Sequence, residues 1–150
     1  MNVLDYKNKL NSISVQSLVK DAVNRNKFQI IQLNQIELDQ GKNYLGQVVG
    51  KYAKSTELIA KTENPRQPKK AGQPYNFEYT GALFDGMFIK YDGKAIKINS
   101  KGLGDNEKQL FLEIGKALGF TEESGVIINY DILLPDLQNK IKQILSWKSI

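Results

Sequence analysis

Asp85 and the triplet Asp92-Gly93-Lys94 are the residues of this chain whose types and spacing come nearest to a reacting set. Two carboxylates and an amine on one hairpin could hold a divalent cation and steady the charge of a phosphodiester being cleaved. Asp92-Gly93 is also the pair that favours a two-residue type I′ hairpin turn, and Asp85 sits too close in sequence for the usual nuclease layout. A second stretch, "GLGDNE" at 102–107, looks like a phosphate loop opening a helix. It lacks the third glycine and the strand–helix–strand setting that give that motif its mechanism, so it reads as a capped helix entry.

The residues that are missing narrow the chemistry further. The chain has no cysteine and no histidine. Disulfides, cysteine-bound zinc and a thiol nucleophile are excluded, and so is the commonest general base near neutral pH. Hydrolysis would have to rest on carboxylates, a lysine or an oxygen-bound metal. No cofactor motif is present, and the expectation is a protein that is not an enzyme.

The net charge of +5 is modest: a solvated surface is its first explanation, and nucleic acid or another acidic surface is the competing candidate partner. The basic residues gather between Lys51 and Lys70, with Tyr44, Tyr52, Tyr75, Phe77 and Tyr79 around them. Lysines and arginine would neutralise phosphates while aromatic rings stack on unpaired bases. The same segment could equally dock on an acidic neighbouring subunit, gaining backbone pairing and side-chain pockets.

The elements that must position these residues follow from periodicity. Val15, Leu18, Val19, Ala22 and Val23 form one apolar stripe on a helix over 14–24, with Ser12 or Ser14 as its N-cap. Residues 27–40 read as a second helix, stopped by Gly41. Its apolar residues, Phe28, Ile30, Ile31, Leu33, Ile36 and Leu38, spread over more than one face. Such a helix is either central to the core or turned toward another subunit. Residues 61–76 hold three of the four prolines and predict an extended loop.

Beyond that loop, "GMFIKYDGKAIKI" predicts a hairpin pairing Tyr91 with Lys94, Ile89 with Ile96 and Met87 with Ile98. One face then carries Met87, Ile89, Ile96 and Ile98, the other Lys90 and Lys97. Residues 107–118 predict an amphipathic helix with Leu110, Phe111, Ile114 and Leu118 inward, capped by Asp105 or Asn106 and closed at Gly119. "GVIINYD" reads as a short third strand, and a last helix opens at Pro135 and runs to Trp147. The order predicts an α+β fold in a single domain, 1–150, with 61–79 as an extended interaction arm. No window is apolar enough for a membrane span and the first residues lack a signal-peptide pattern, so synthesis in the cytoplasm is expected.

One pattern ties the arm to the sheet. Tyr52-x₃-Thr56, a following lysine, Gly72-x-Pro74 and then Tyr79-Thr80-Gly81-x-Leu83 resemble small morphogenesis proteins of tailed bacteriophages, the neck and tail-completion group. The resemblance covers roughly residues 44–98, and the serine common after the family's "TG-x-L" is replaced here by Phe84-Asp85-Gly86. It implies a virion protein working as a ring of copies of itself, beside portal, connector or tail proteins, with DNA passing through the lumen. Lys61, Arg66, Lys69, Lys70, Tyr75, Phe77 and Tyr79 on the arm, with Phe28 and Ile31 on the two-faced helix, are the expected partner-binding residues. Thr80 would cap a single turn, Gly81 to Phe84, that feeds the hairpin. The alternative from the residues alone is a small basic nucleic-acid-binding protein using the same arm.

Overall fold

A computed structural model describes residues 3–63, 69–77, 81–102 and 117–146. Three helices open the chain: α1 (Val3–Asn11), α2 (Val15–Arg25) and α3 (Lys27–Asp39). Helix α4 (Lys54–Glu63) precedes the proline-rich segment, and a single turn, α5 (Ala82–Asp85), leads into strands β1 (Met87–Tyr91) and β2 (Ile96–Ser100). The last described segment is a helical rod made of α6 (Glu122–Val126), a π-helical stretch (Ile127–Leu133) and α7 (Leu134–Leu145). Helices around one small antiparallel sheet make the fold α+β. No helix among the described residues is long and apolar enough to cross a membrane.

Helix α2 starts where its stripe predicts. The Ser14 hydroxyl accepts from the Ser17 amide at 3.3 Å, and Leu18, Ala22 and Val23 are buried. Helices α1 and α4 lie in stretches for which periodicity predicts no element. Residues 61–63, predicted as the start of the proline-rich loop, instead complete the last turn of α4.

The expected third strand is instead helical. Thr121 caps α6 by accepting from the Ser124 amide, and Glu122 and Glu123 complement the positive end of the helix. These local signals outweigh the strand preference of Val126, Ile127 and Ile128. The last α-helix opens at Leu134 with Pro135 in its first turn, close to where it is predicted, but it continues the helical turns before it instead of starting afresh, and the predicted end at Trp147 lies outside the described residues. Proline offers no N–H and crowds the carbonyl four residues back, so an α-helix cannot simply run through it. Here the turns before it are π-wound, with the Leu134 N–H bonded to the Asn129 carbonyl five residues back. That winding also brings Ile128 and Leu133 to one buried face. At α-helical pitch, residues five apart would point roughly 140° apart.

The hairpin keeps its predicted faces and changes its register. Tyr91 pairs with Ile96, Ile89 with Ile98 and Met87 with Ser100, so four residues make the loop instead of two. Asp92 is the cause: its Oδ1 accepts from the amides of both Lys94 and Ala95, each at 3.0 Å. A shift of two residues preserves which side chains point inward.

Two apolar clusters share α3 and the hairpin. Ile30 packs with Ala22, Val23, Ile128 and Leu133, while Leu38 packs with Phe77, Leu83, Met87 and Ala117. Ile31 is half-buried against the second cluster and Leu33 against the first, so α3 is the central helix. Arg25 bridges to Asp136 at 2.6 Å and ties α2 to the rod. Of the predicted helix over 107–118, Leu110, Phe111 and Ile114 lie outside the described residues, and Leu118 packs on the second cluster.

The Thr-Gly corner is built by close backbone approach. Gly81, not Thr80, stands at the N-cap of α5 with φ 83°, and Thr80 lies outside the described residues. Leu83 is buried beneath that turn. A Cβ on Gly102 would stand 1.5 Å from the Ala82 carbonyl oxygen, and one on Gly86 would stand 2.3 Å from the Gly102 nitrogen. The Ser100 hydroxyl locks the corner, donating to the Leu83 carbonyl at 2.6 Å and accepting from the Gly102 amide at 3.0 Å.

Candidate functional site

The basic, aromatic segment singled out by composition is knitted to the residues before α4. Tyr75 donates its backbone N–H to Gly50, Tyr52 to Gln73, and Gly72 to Tyr52, so 72–75 runs antiparallel to 50–52. The Tyr52 and Tyr75 rings meet edge to face at 4.9 Å. Gly50 makes room for that pair, because a Cβ there would fall 2.4 Å from the Tyr75 ring.

Tyr52 is the hub. Its hydroxyl donates to the Asn76 side chain at 2.8 Å and accepts from the Asn76 amide at 3.0 Å. Lys69 also donates to the Asn76 side chain and lies 5.5 Å from the centre of the Tyr52 ring, a cation–π contact. Burial, which disfavours the phenolate, pushes the Tyr52 hydroxyl above its ordinary pKa despite the amide bond that favours ionisation. Across the corner, Glu57 pairs with Lys61 at 2.8 Å and accepts from the Ala71 amide at 3.0 Å. Lys61 first, and then that amide, hold the Glu57 carboxyl below its usual range.

The predicted partner-binding residues divide between inside and outside. Lys69 and Phe77 are buried, Phe77 with a left-handed φ of 52°, and Tyr75 is half-buried; all three side chains serve the fold of their own chain. Ile31, expected beside Phe28 as a partner-binding residue, instead packs against the second apolar cluster. Lys61, Lys70 and Phe28 are exposed, Phe28 by 71%. Arg66 and Tyr79 lie outside the described residues. Only the exposed ones can meet another molecule without the corner opening.

The carboxylate pair weighed for metal chemistry is separated. Asp85 and Asp92 stand at opposite ends of the five-residue strand β1, roughly 17 Å of extended chain. Asp92 is already engaged by Lys97 at 2.7 Å and by the two loop amides, which hold its carboxyl far below the usual range. Among the described residues no three acids gather as a metal site would need.

Two arrangements had no clear signal in the sequence. Glu37 is buried in α3 and accepts from the Thr121 and Ser124 hydroxyls, each at 2.5 Å, and from the Asn34 amide at 3.4 Å. It braces α3 against the positive end of the rod. The only hint was polar residues spaced three apart within an apolar helix. On the outer face of the hairpin, Lys90 and Lys101 lie 5.5 and 5.8 Å from the Phe88 ring centre. The alternating pattern predicts the lysine face but not the lysines' gathering around one ring.

No known protein family, curated protein or solved structure matches the chain.

Proposed function

We propose that the protein is a non-enzymatic structural component of a tailed-bacteriophage virion, assembling as a ring at the head–tail junction or tail. The motif pattern from Tyr52 to Leu83 supplies the resemblance. The observation that carries the reading is exposed apolar surface. Val3, Phe28, Leu58 and Tyr130 are 88%, 71%, 71% and 64% exposed, on four separate helical elements. Large apolar side chains exposed on several elements are the kind of surface that neighbouring subunits bury.

A ring needs two different complementary surfaces on each subunit. The α3 end bearing Phe28 would give one and the arm's outward lysines, Lys61 and Lys70, the other. Their partners would be adjacent copies and, beyond the ring, portal, connector or tail proteins. Charge reversal at Lys70 tests the arm's part, with assembly lost and the helical spectrum unchanged. Normal rings from Lys70→Glu would remove the arm from the reading.

The Phe88 face favours a second reading, binding of single-stranded nucleic acid. An aromatic ring flanked by lysines suits a base stacked beside its phosphates. Affinity would then fall steeply with salt and on Phe88→Ala, without any ring.

A further inference from the structure

A cavity of about 340 Å³ lies between the hairpin and the rod, apart from the arm and the Phe88 face. Val19, Ile96, Phe120, Ile128 and Leu133 form its apolar wall, and polar surface makes up nearly half of the lining. The π-wound stretch forms one side, a winding that is rare in proteins and concentrates at functional sites. Gly125 contributes bare backbone, and a Cβ placed there meets nothing within 4 Å. The volume is therefore open where a side chain could have filled it.

The polar side chains at this cavity come from three residues. Lys94 and Asn129 line it, both exposed, and Tyr91 is half-buried at its edge. The nearest hairpin carboxylate, Asp92, is committed to Lys97, and among the described residues Lys94 makes no ion pair. An open cleft that pairs an apolar wall with a lysine and a side-chain amide can take a small amphipathic anion, its body on the wall and its charge on the lysine. Its size sits at the lower end for ligand pockets and suits a body of one ring or a short chain.

We propose that this cavity binds a small monocarboxylic acid with an aromatic or short aliphatic body, its carboxylate received by Lys94 and Asn129. The site stands independently of the assembly reading. A bound acid would join the hairpin to the rod, two elements whose packing builds the first apolar cluster.

Benzoate, benzyl alcohol and benzylamine are the probes, titrated into isotope-labelled protein and followed by amide chemical shifts. Benzoate is expected to give saturable shifts centred on Gly125, Ile128 and Ile96. The alcohol should bind about tenfold or more weakly, since it loses a charge-assisted contact. Lys94→Gln should lower benzoate affinity to that of the alcohol, and Gly125→Leu should abolish binding by filling the space. Gly125→Leu lies in a helix and its fold is checked by its own spectrum; Lys94→Gln, on an exposed loop, decides the question if it does not fold. Shifts scattered over the surface without saturation, equal binding of benzylamine, or benzoate affinity unchanged in Lys94→Gln would each overturn the proposal.

Discussion

Gly102→Ala is expected to be among the most damaging single-methyl changes in this chain. Its Cβ would stand 1.5 Å from the Ala82 oxygen and 3.0 Å from the Leu83 nitrogen, both backbone atoms that cannot rotate aside. Restoring an ordinary C···O separation of about 3.3 Å needs a shift of about 2 Å between α5 and the end of β2. Such a shift breaks three hydrogen bonds, Lys101 N–H to Gly86, Ser100 Oγ–H to Leu83 and Gly102 N–H to Ser100. At about 1 kcal/mol each, with about 1 kcal/mol more for loosening buried Leu83, the loss is about 4 kcal/mol. That is a large part of the 5–15 kcal/mol typical of a domain, and about 10 °C in melting temperature. Urea unfolding followed by circular dichroism measures it. Gly72→Ala is the control: no atom lies within 4 Å of its added Cβ, so only the left-handed φ of 83° is strained, at about 1 kcal/mol. A Gly102→Ala protein no less stable than that control would refute the close-packed corner.

Other outcomes follow from the knitted arm and the hairpin loop. Tyr52→Phe removes both hydroxyl bonds to Asn76 and should cost about 1–3 kcal/mol in the same assay. Because burial raises the Tyr52 pKa, the unfolded chain gives up that proton first. Stability should therefore fall as pH rises above about 10, and less steeply in Tyr52→Phe. Asp92 and Glu57 work in the opposite direction. Their carboxyl pKa values are depressed by folding, so their contribution is present above about pH 4 and is lost as pH falls through the folded values. Asp92→Asn should flatten the acid limb of the stability curve. Lys69→Glu should unfold the corner, detected as lost protection of the Tyr52 and Tyr75 amides from exchange, whereas Lys70→Glu should leave that protection intact.

Local pattern made some of this fold legible and left some out of reach. The stripe of α2, its Ser14 cap and the two faces of the hairpin follow from spacing, because each depends on neighbours within a turn or across one ladder. The hairpin register does not, since a single side chain, Asp92, lengthens a loop that Asp-Gly alone would close in two residues. The rod was hidden by β-branched residues whose strand preference is overridden by the Thr121 cap and by packing of Ile128 and Leu133. For the candidate site, composition located the basic segment but not its inside and outside. Lys69 turns inward because Tyr52 and Asn76, far from each other in sequence, converge on it, while Lys70 beside it stays in solvent. Spacing within the segment holds no trace of that convergence.

Light scattering of the purified protein over a wide concentration range, with and without DNA, tests the central proposal most directly. The assembly reading predicts a discrete mass of several copies, or a concentration-dependent rise toward one, that does not require DNA. A stable monomer at every concentration that gains mass only with DNA would contradict it.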